Sequence, residues 1–177
     1  MPTVSGNYVD PQRARVHQKT VTLTDAQIRS LGNGTAIEIV AAPGANKVIR
    51  LLDAGGVLDA TAGAYSGFDT GSGLVFLLDA LAAIYASSVI PVGPLDGAAA
   101  VVPLLWSAVI SGDSDMVGEG DYAGLVISKL PSSTPVNKAL ELSDWWGGGT
   151  YTGGHESNSL IVSVAYLIWD VSTGVYV

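Results

Sequence analysis

The clearest periodic stretch lies near the end of the chain. In residues 160–169, Leu160, Val162, Val164, Tyr166 and Ile168 alternate with Ile161, Ser163, Ala165, Leu167 and Trp169, so the two sets occupy opposite faces of an extended strand. Both sets are largely apolar, which predicts a central strand covered on both sides. Shorter β-prone runs occur at residues 20–22, 36–40, 47–58, 74–78, 123–130 and 137–143, with turn-forming residues between them. Two further apolar runs cover residues 82–90 and 98–110. Residues 80–84 fit a helix as well as a strand, because short apolar runs do not separate the two. Pro103, inside the second run, argues for an edge position or a bulge. Many short strands and almost no helix predict an all-β chain folded as a β-sandwich.

One helical turn is expected after residue 23. Thr24 is placed as an N-cap whose hydroxyl accepts the Gln27 backbone N–H, with the Gln27 side chain reaching back to the Thr24 backbone. Leu23 and Ile28 then hold the staple positions around that cap. Gly32 and the Asn33-Gly34 pair stop the turn. Ala42-Pro43-Gly44-Ala45 reads as a type II turn, with Pro at the position of fixed φ and Gly where φ must be positive. It joins the strands at 36–40 and 47–58 into a hairpin.

Length gives a prior of one domain, since domains commonly run to roughly 100–200 residues. Charge changes this picture more than length does. Asp, Glu, Lys and Arg make up 14% of the 177 residues, against about 25% in ordinary soluble domains. So few charges leave much apolar exterior on a monomer, and part of that exterior is expected to be a subunit interface. The net charge of −8 is also uneven. Residues 1–19 hold Arg13, Arg15 and Lys19 against Asp10, a net of +2, and the remainder holds five cations against fifteen acids, a net of −10. An acidic body disfavours nucleic acid, whose phosphates need clustered Lys and Arg. Cysteine is absent, which excludes disulfide frameworks and Cys-ligated zinc and suits folding in a reducing cytoplasm. The amino terminus has no apolar run after its charges and does not resemble a secretory signal. Residues 74–92 are apolar over a membrane-spanning length. Asp79 within that run makes core elements the better reading, and no membrane association is expected.

Residues 1–19 are expected to form an extended arm ahead of a β-sandwich domain at 20–177. Extended, the arm sets Arg13, Arg15, His17 and Lys19 on one face. That basic face would lie across an acidic neighbour, and the competing reading is a solvated terminus.

Local motifs for catalysis are missing. There is no G-x-S-x-G, no H-E-x-x-H, no P-loop and no G-x-G-x-x-G after a strand, so nothing local favours an enzyme. Asp113, Asp115, Glu119 and Asp121 crowd one loop, but their spacing does not fit an EF-hand, and a solvated acidic loop is the expectation. No metal or cofactor is expected. The remaining candidate is the glycine-rich loop at 144–159, with Trp145, Trp146, Tyr151 and His155. Exposed rings there would stack on sugars, whereas buried ones would serve a subunit contact.

The runs TLTDAQIRSLGNGTAIEIVAAPGANKVIRLL (22–52), NKALELS (137–143) and YTGGHESNSLIVSVAYLIWD (151–170) resemble small virion proteins of tailed bacteriophages. Residues 60–131 show no such resemblance. The likeness implies a jelly-roll-like β-sandwich that is often trimeric and decorates capsids or sits on tails. For this chain it implies a capsid decoration or cement protein on the virion surface, assembled in the host cytoplasm, with the major capsid protein as partner. The alternative it leaves is a tail-associated adsorption protein that binds a host glycan or receptor.

Overall fold

The computed structural model describes residues 15–67, 73–79, 84–91, 96–97, 99–111, 136–144 and 150–177. Their elements, in chain order, are β1 (His17–Thr24), α1 (Asp25–Gly32), β2 (Ile37–Val40), β3 (Lys47–Asp59), β4 (Tyr65–Ser66), β5 (Gly73–Asp79), β6 (Ile84–Ser87) and β7 (Ile90–Pro91). They continue with β8 (Val101–Trp106), β9 (Ala108–Ser111), β10 (Leu140–Asp144), β11 (Thr152–Gly153), β12 (Ser159–Asp170) and β13 (Val175–Tyr176).

Two antiparallel sheets form a sandwich. The first runs β1-β12-β3-β8 with β13 added to β12, and the second runs β2-β10-β5-β6-β9 with β7 added to β5. Taking β1, β2, β3, β5, β6, β8, β10 and β12 as the eight principal strands, the first sheet is ordered first, eighth, third, sixth. The second is ordered second, seventh, fourth, fifth. This interleaving is the double Greek key of a jelly roll. Consecutive principal strands change sheets at every step except β5 to β6, so the fold closes only when the first and last strands pair.

The core lies between the sheets. Leu160, Val162, Val164 and Tyr166 of β12 point into it, as do Ala54 and Leu58 of β3 and Leu104 and Trp106 of β8. Leu74, Phe76 and Leu78 of β5 and Leu140 and Leu142 of β10 come from the other side. The β8–β9 chain leaves the first sheet at Ser107 and enters the second. Ser88 holds this corner, donating its N–H to the Ser107 carbonyl at 2.8 Å and accepting the Ser107 N–H on its hydroxyl at 3.0 Å.

The capping box forms as expected. The Thr24 hydroxyl accepts the Gln27 N–H at 3.4 Å, and the Thr24 N–H is donated to Gln27 Oε1 at 3.0 Å. Leu23 and Ile28, at the staple positions, are both buried in the core. The helix is eight residues long rather than a single turn, because Leu31 also finds a place in the core. Gly44 takes a positive φ of 101° as expected, but the chain reverses through a bond from the Lys47 N–H to the Gly44 carbonyl at 3.2 Å, and the expected hairpin does not form: β2 and β3 pair in different sheets, because each finds its partners in distant strands.

Three further expectations change. Pairing begins at His17 and not at Thr20, because His17, Gln18 and Lys19 find partners in Tyr166, Ala165 and Val164. The last residues assigned to the arm thus belong to the sheet. β12 is central within its sheet but is not covered on both sides: Ile161 and Ser163 are exposed, because among the described residues no layer lies over that part of the sheet. The apolar run 82–90 is interrupted, with Ser88 and Val89 separating β6 from β7. Among the described residues no helix is long and apolar enough to cross a membrane. The strand expected at 123–130 and the acidic residues Asp113, Asp115, Glu119 and Asp121 lie outside the described residues.

Candidate functional site

The outer surface of the first sheet is the feature that the core does not explain. Strand register aligns its residues in rows that cross the whole sheet. One row runs Thr22, Ile161, Val57, Pro103, and the next runs Thr20, Ser163, Gly55, Leu105. Leu105 is 81% exposed, Val101 56%, Ile161 42% and Val57 39%. Isolated exposed aliphatics are ordinary on any protein. Here Ile161 and Val57 are cross-strand partners, and Val101 and Leu105 flank Val57's partner Pro103 on the same face of β8. An apolar patch of this kind marks a contact surface.

The alternation of each strand builds this patch. In β3, Ala54 and Leu58 turn inward, so Asp53, Gly55, Val57 and Asp59 turn outward. In β8, Leu104 and Trp106 turn inward and leave Val101, Pro103 and Leu105 outside. Asp53 and Asp59 are the charged members of the β3 set and sit at its two ends. The Asp59 carboxylate accepts the Thr61 hydroxyl at 2.7 Å and the Thr61 N–H at 3.0 Å, and these bonds lower its pKa. The β8 edge itself is protected. Pro103 has no N–H to offer an added strand, a usual way of blocking edge-to-edge pairing.

Among the described residues, those singled out from sequence do not converge. Arg13, Trp145 and Trp146 lie outside the described residues. Arg15 and Lys19 are exposed at the start of the first sheet. His17 is half-buried, with its ring stacked on Tyr166 at a centroid distance of 5.3 Å and an interplanar angle of 19°. It therefore packs against the sheet and does not extend a free basic face. Of the exposed and buried alternatives for the loop rings, Tyr151 takes the buried one. It is buried and donates its hydroxyl to Asp144 Oδ2 at 2.8 Å, since a large ring at this corner gains more from the core than from water. His155 is exposed, and its Nδ1 accepts the Ser157 N–H at 3.1 Å.

Beneath that loop is a buried polar cluster. Asp25 pairs with Arg29 at 2.7 Å, and the Tyr65 hydroxyl lies beside Asp25 and Asn158. Burial first, and the neighbouring Asp25 carboxylate second, push the Tyr65 phenol well above its ordinary pKa. The Asn158 amide donates to the Gly63 carbonyl at 2.6 Å. This cluster ties α1, β4 and the start of β12 together and is a structural tie. A groove of about 440 Å³ runs beside it, lined by Arg29, Ser30, Asn33, Thr150 and Thr152, and its cation is already engaged by Asp25. Among the described residues no group of three or more His, Asp or Glu is placed to hold a metal ion.

Comparisons with protein-family models, curated proteins and solved structures gave no match. The functional reading therefore rests on the geometry above. Sequence reasoning missed Val57, Val101, Leu105 and Ile161 as individual site residues. The available signal was the pair of apolar faces in residues 160–169, which reads equally well as a strand covered on both sides.

Proposed function

We propose that this chain is a structural virion protein of a tailed phage: a capsid decoration protein that attaches to the major capsid protein on the head surface as a homotrimer. The observation that carries the reading is the open apolar face formed by Val57, Val101, Leu105 and Ile161. A surface of this kind lowers its free energy by covering itself with protein. The jelly-roll strand order supports the reading, because that architecture serves repeatedly in viral capsids. The low charge content supports it too, since fewer groups must be desolvated on contact. Attachment draws on apolar area, and the cations at the amino-terminal end, Arg13, Arg15 and Lys19, orient the acidic body on its support.

The test is co-sedimentation of purified protein with decoration-free capsids, with host cells as a parallel bait. Binding at regular lattice positions with a rise in capsid heat resistance is the expected result. Binding to cells without binding to capsids would move the protein to the tail as an adsorption protein, and binding to neither would overturn the virion reading.

A further inference from the structure

The chain's one Asn-Gly step, Asn33-Gly34, follows the last turn of α1. An asparagine before glycine is especially open to deamidation, because no side chain on the second residue hinders its backbone nitrogen. That nitrogen loses its proton and attacks the asparagine Cγ. The new N–C bond closes a five-membered imide, and the Cγ–Nδ2 bond breaks to release ammonia. Water then opens the imide at either carbonyl, which leaves an aspartyl or an isoaspartyl link. The ring closes only when the glycine nitrogen lies on the same side as the asparagine Cβ.

In the folded chain the nitrogen is held elsewhere. Asn33 has a ψ of 14°, so the Gly34 nitrogen nearly eclipses the Asn33 nitrogen and is turned away from Cβ. The Gly34 N–H also donates to the Leu31 carbonyl at 2.9 Å, and the Asn33 and Thr35 N–H groups reach the Ser30 carbonyl at 3.1 and 3.3 Å. Leu31 is fully buried, so the turn opens only by disturbing the core. Asn33 itself is exposed. The amide is thus open to water while its nucleophile is locked.

We propose that Asn33 is a covalent modification site, deamidated through the Gly34 nitrogen, and that opening of α1 sets its rate. The product acts on the buried polar cluster. Asp25, Arg29 and Asn33 follow one another at intervals of four residues, which sets them on one helix face, and Arg29 and Asn33 line the same groove. Arg29 is the ion-pair partner of Asp25, a carboxylate only 5% exposed. Deamidation adds a second carboxylate beside Arg29, at the helix end where the dipole disfavours an anion. Arg29 is then shared, and a buried carboxylate that loses part of its compensation is costly. An isoaspartyl link also lengthens the backbone between α1 and β2 by one atom. The modified chain is therefore less stable than its parent. This chemistry is independent of what the chain binds.

The full chain is aged in mildly alkaline buffer, folded and in denaturant, and peptide mass spectrometry with isoaspartate detection reads conversion at Asn33. Thr24→Ala and Trp106→Phe are aged beside the wild type, the first to loosen α1 and the second to destabilise the sandwich away from it. Conversion should be fast in denaturant and much slower in the folded wild type. In folded Thr24→Ala it should rise about five-fold, the ratio that matches the lost cap, and in folded Trp106→Phe it should stay at the wild-type rate. Equal rates for folded and denatured chain would overturn the protection. A rate unmoved by Thr24→Ala, or raised as much by Trp106→Phe, would overturn α1 opening as the gate. No conversion in denaturant would remove the site itself. Asn33→Asp supplies the new charge without the altered backbone: its thermal midpoint should fall below that of the wild type, and an unchanged midpoint would overturn the coupling to Asp25.

Discussion

The Trp106 indole N–H donates to the Leu74 carbonyl at 3.1 Å, which joins β8 of one sheet to β5 of the other through the middle of the core. The same ring meets Phe76 edge-on, with centroids 5.1 Å apart, and covers Gly56, where an added Cβ would stand 3.3 Å from the indole. Trp106 is thus both the polar and the apolar link between the sheets at this corner. Trp106→Ala should cost about 3–5 kcal/mol through the cavity left behind. Trp106→Phe should cost about 1–3 kcal/mol, chiefly through the lost bond to a buried carbonyl. Denaturant unfolding reads both, and a Trp106→Phe variant as stable as the wild type would show that the hydrogen bond contributes nothing beyond packing.

The cap at Thr24 carries a smaller, local effect. Thr24→Ala removes the acceptor for the Gln27 N–H and should lower stability by about 1 kcal/mol. An unchanged unfolding midpoint would mean that Leu23 and Ile28 hold the helix start without the cap.

Tyr65 sets an alkaline limit. Its pKa is raised in the folded chain, so between the unfolded value, about 10, and the higher folded one the unfolded chain gives up its proton and the folded chain keeps it. The unfolded state then binds fewer protons, and stability falls as pH rises. Stability should show no Tyr65 contribution to its slope below the unfolded pKa and should decline above it. In Tyr65→Phe that decline should be shallower, although the variant starts lower because Asp25 and Asn158 lose their neighbour. Thermal midpoints between pH 8 and about 11 on either side of the phenol range provide the check, and parallel slopes for the two proteins would refute it.

Gly154 has no substitute. Its φ is +75°, and a Cβ placed there would lie 2.4 Å from Asp25 Oδ1 and 2.5 Å from the Tyr65 ring. Gly154→Ala should destabilise by more than about 2 kcal/mol, as strained positive-φ sites with a buried clash do. A loss within 0.5 kcal/mol, roughly the range of a neutral surface change, would mean that the loop re-routes freely.

Much of the fold was legible because it depends on local chemistry. The Thr24 to Gln27 spacing specifies a helix start, Pro43-Gly44 specifies a turn, and Pro103 specifies an edge strand. Each of these involves residues adjacent or nearly adjacent in the chain. The candidate site was far less legible. The alternation at 160–169 located a central strand correctly, yet it read Ile161 and Ser163 as covered. Tyr151 stayed open between an exposed and a buried ring, because composition does not reveal that its hydroxyl finds Asp144 seven positions earlier.

By itself the sequence determined the all-β class, the capped helix, the positive φ of Gly44 and a charge content too low for an ordinary free surface. Those properties follow from backbone preference and composition, which act over short distances or over the whole chain at once. Only the tertiary structure decided which apolar faces are buried. Ile161, Val57 and Pro103 are far apart in sequence and become one row only when β12, β3 and β8 pair in register. Alternation places Leu105 and Trp106 on opposite sides of β8, but it does not say which side meets the second sheet. That choice is made by packing: the indole finds Phe76 and the Leu74 carbonyl, and Leu105 is left facing out beside Gly55.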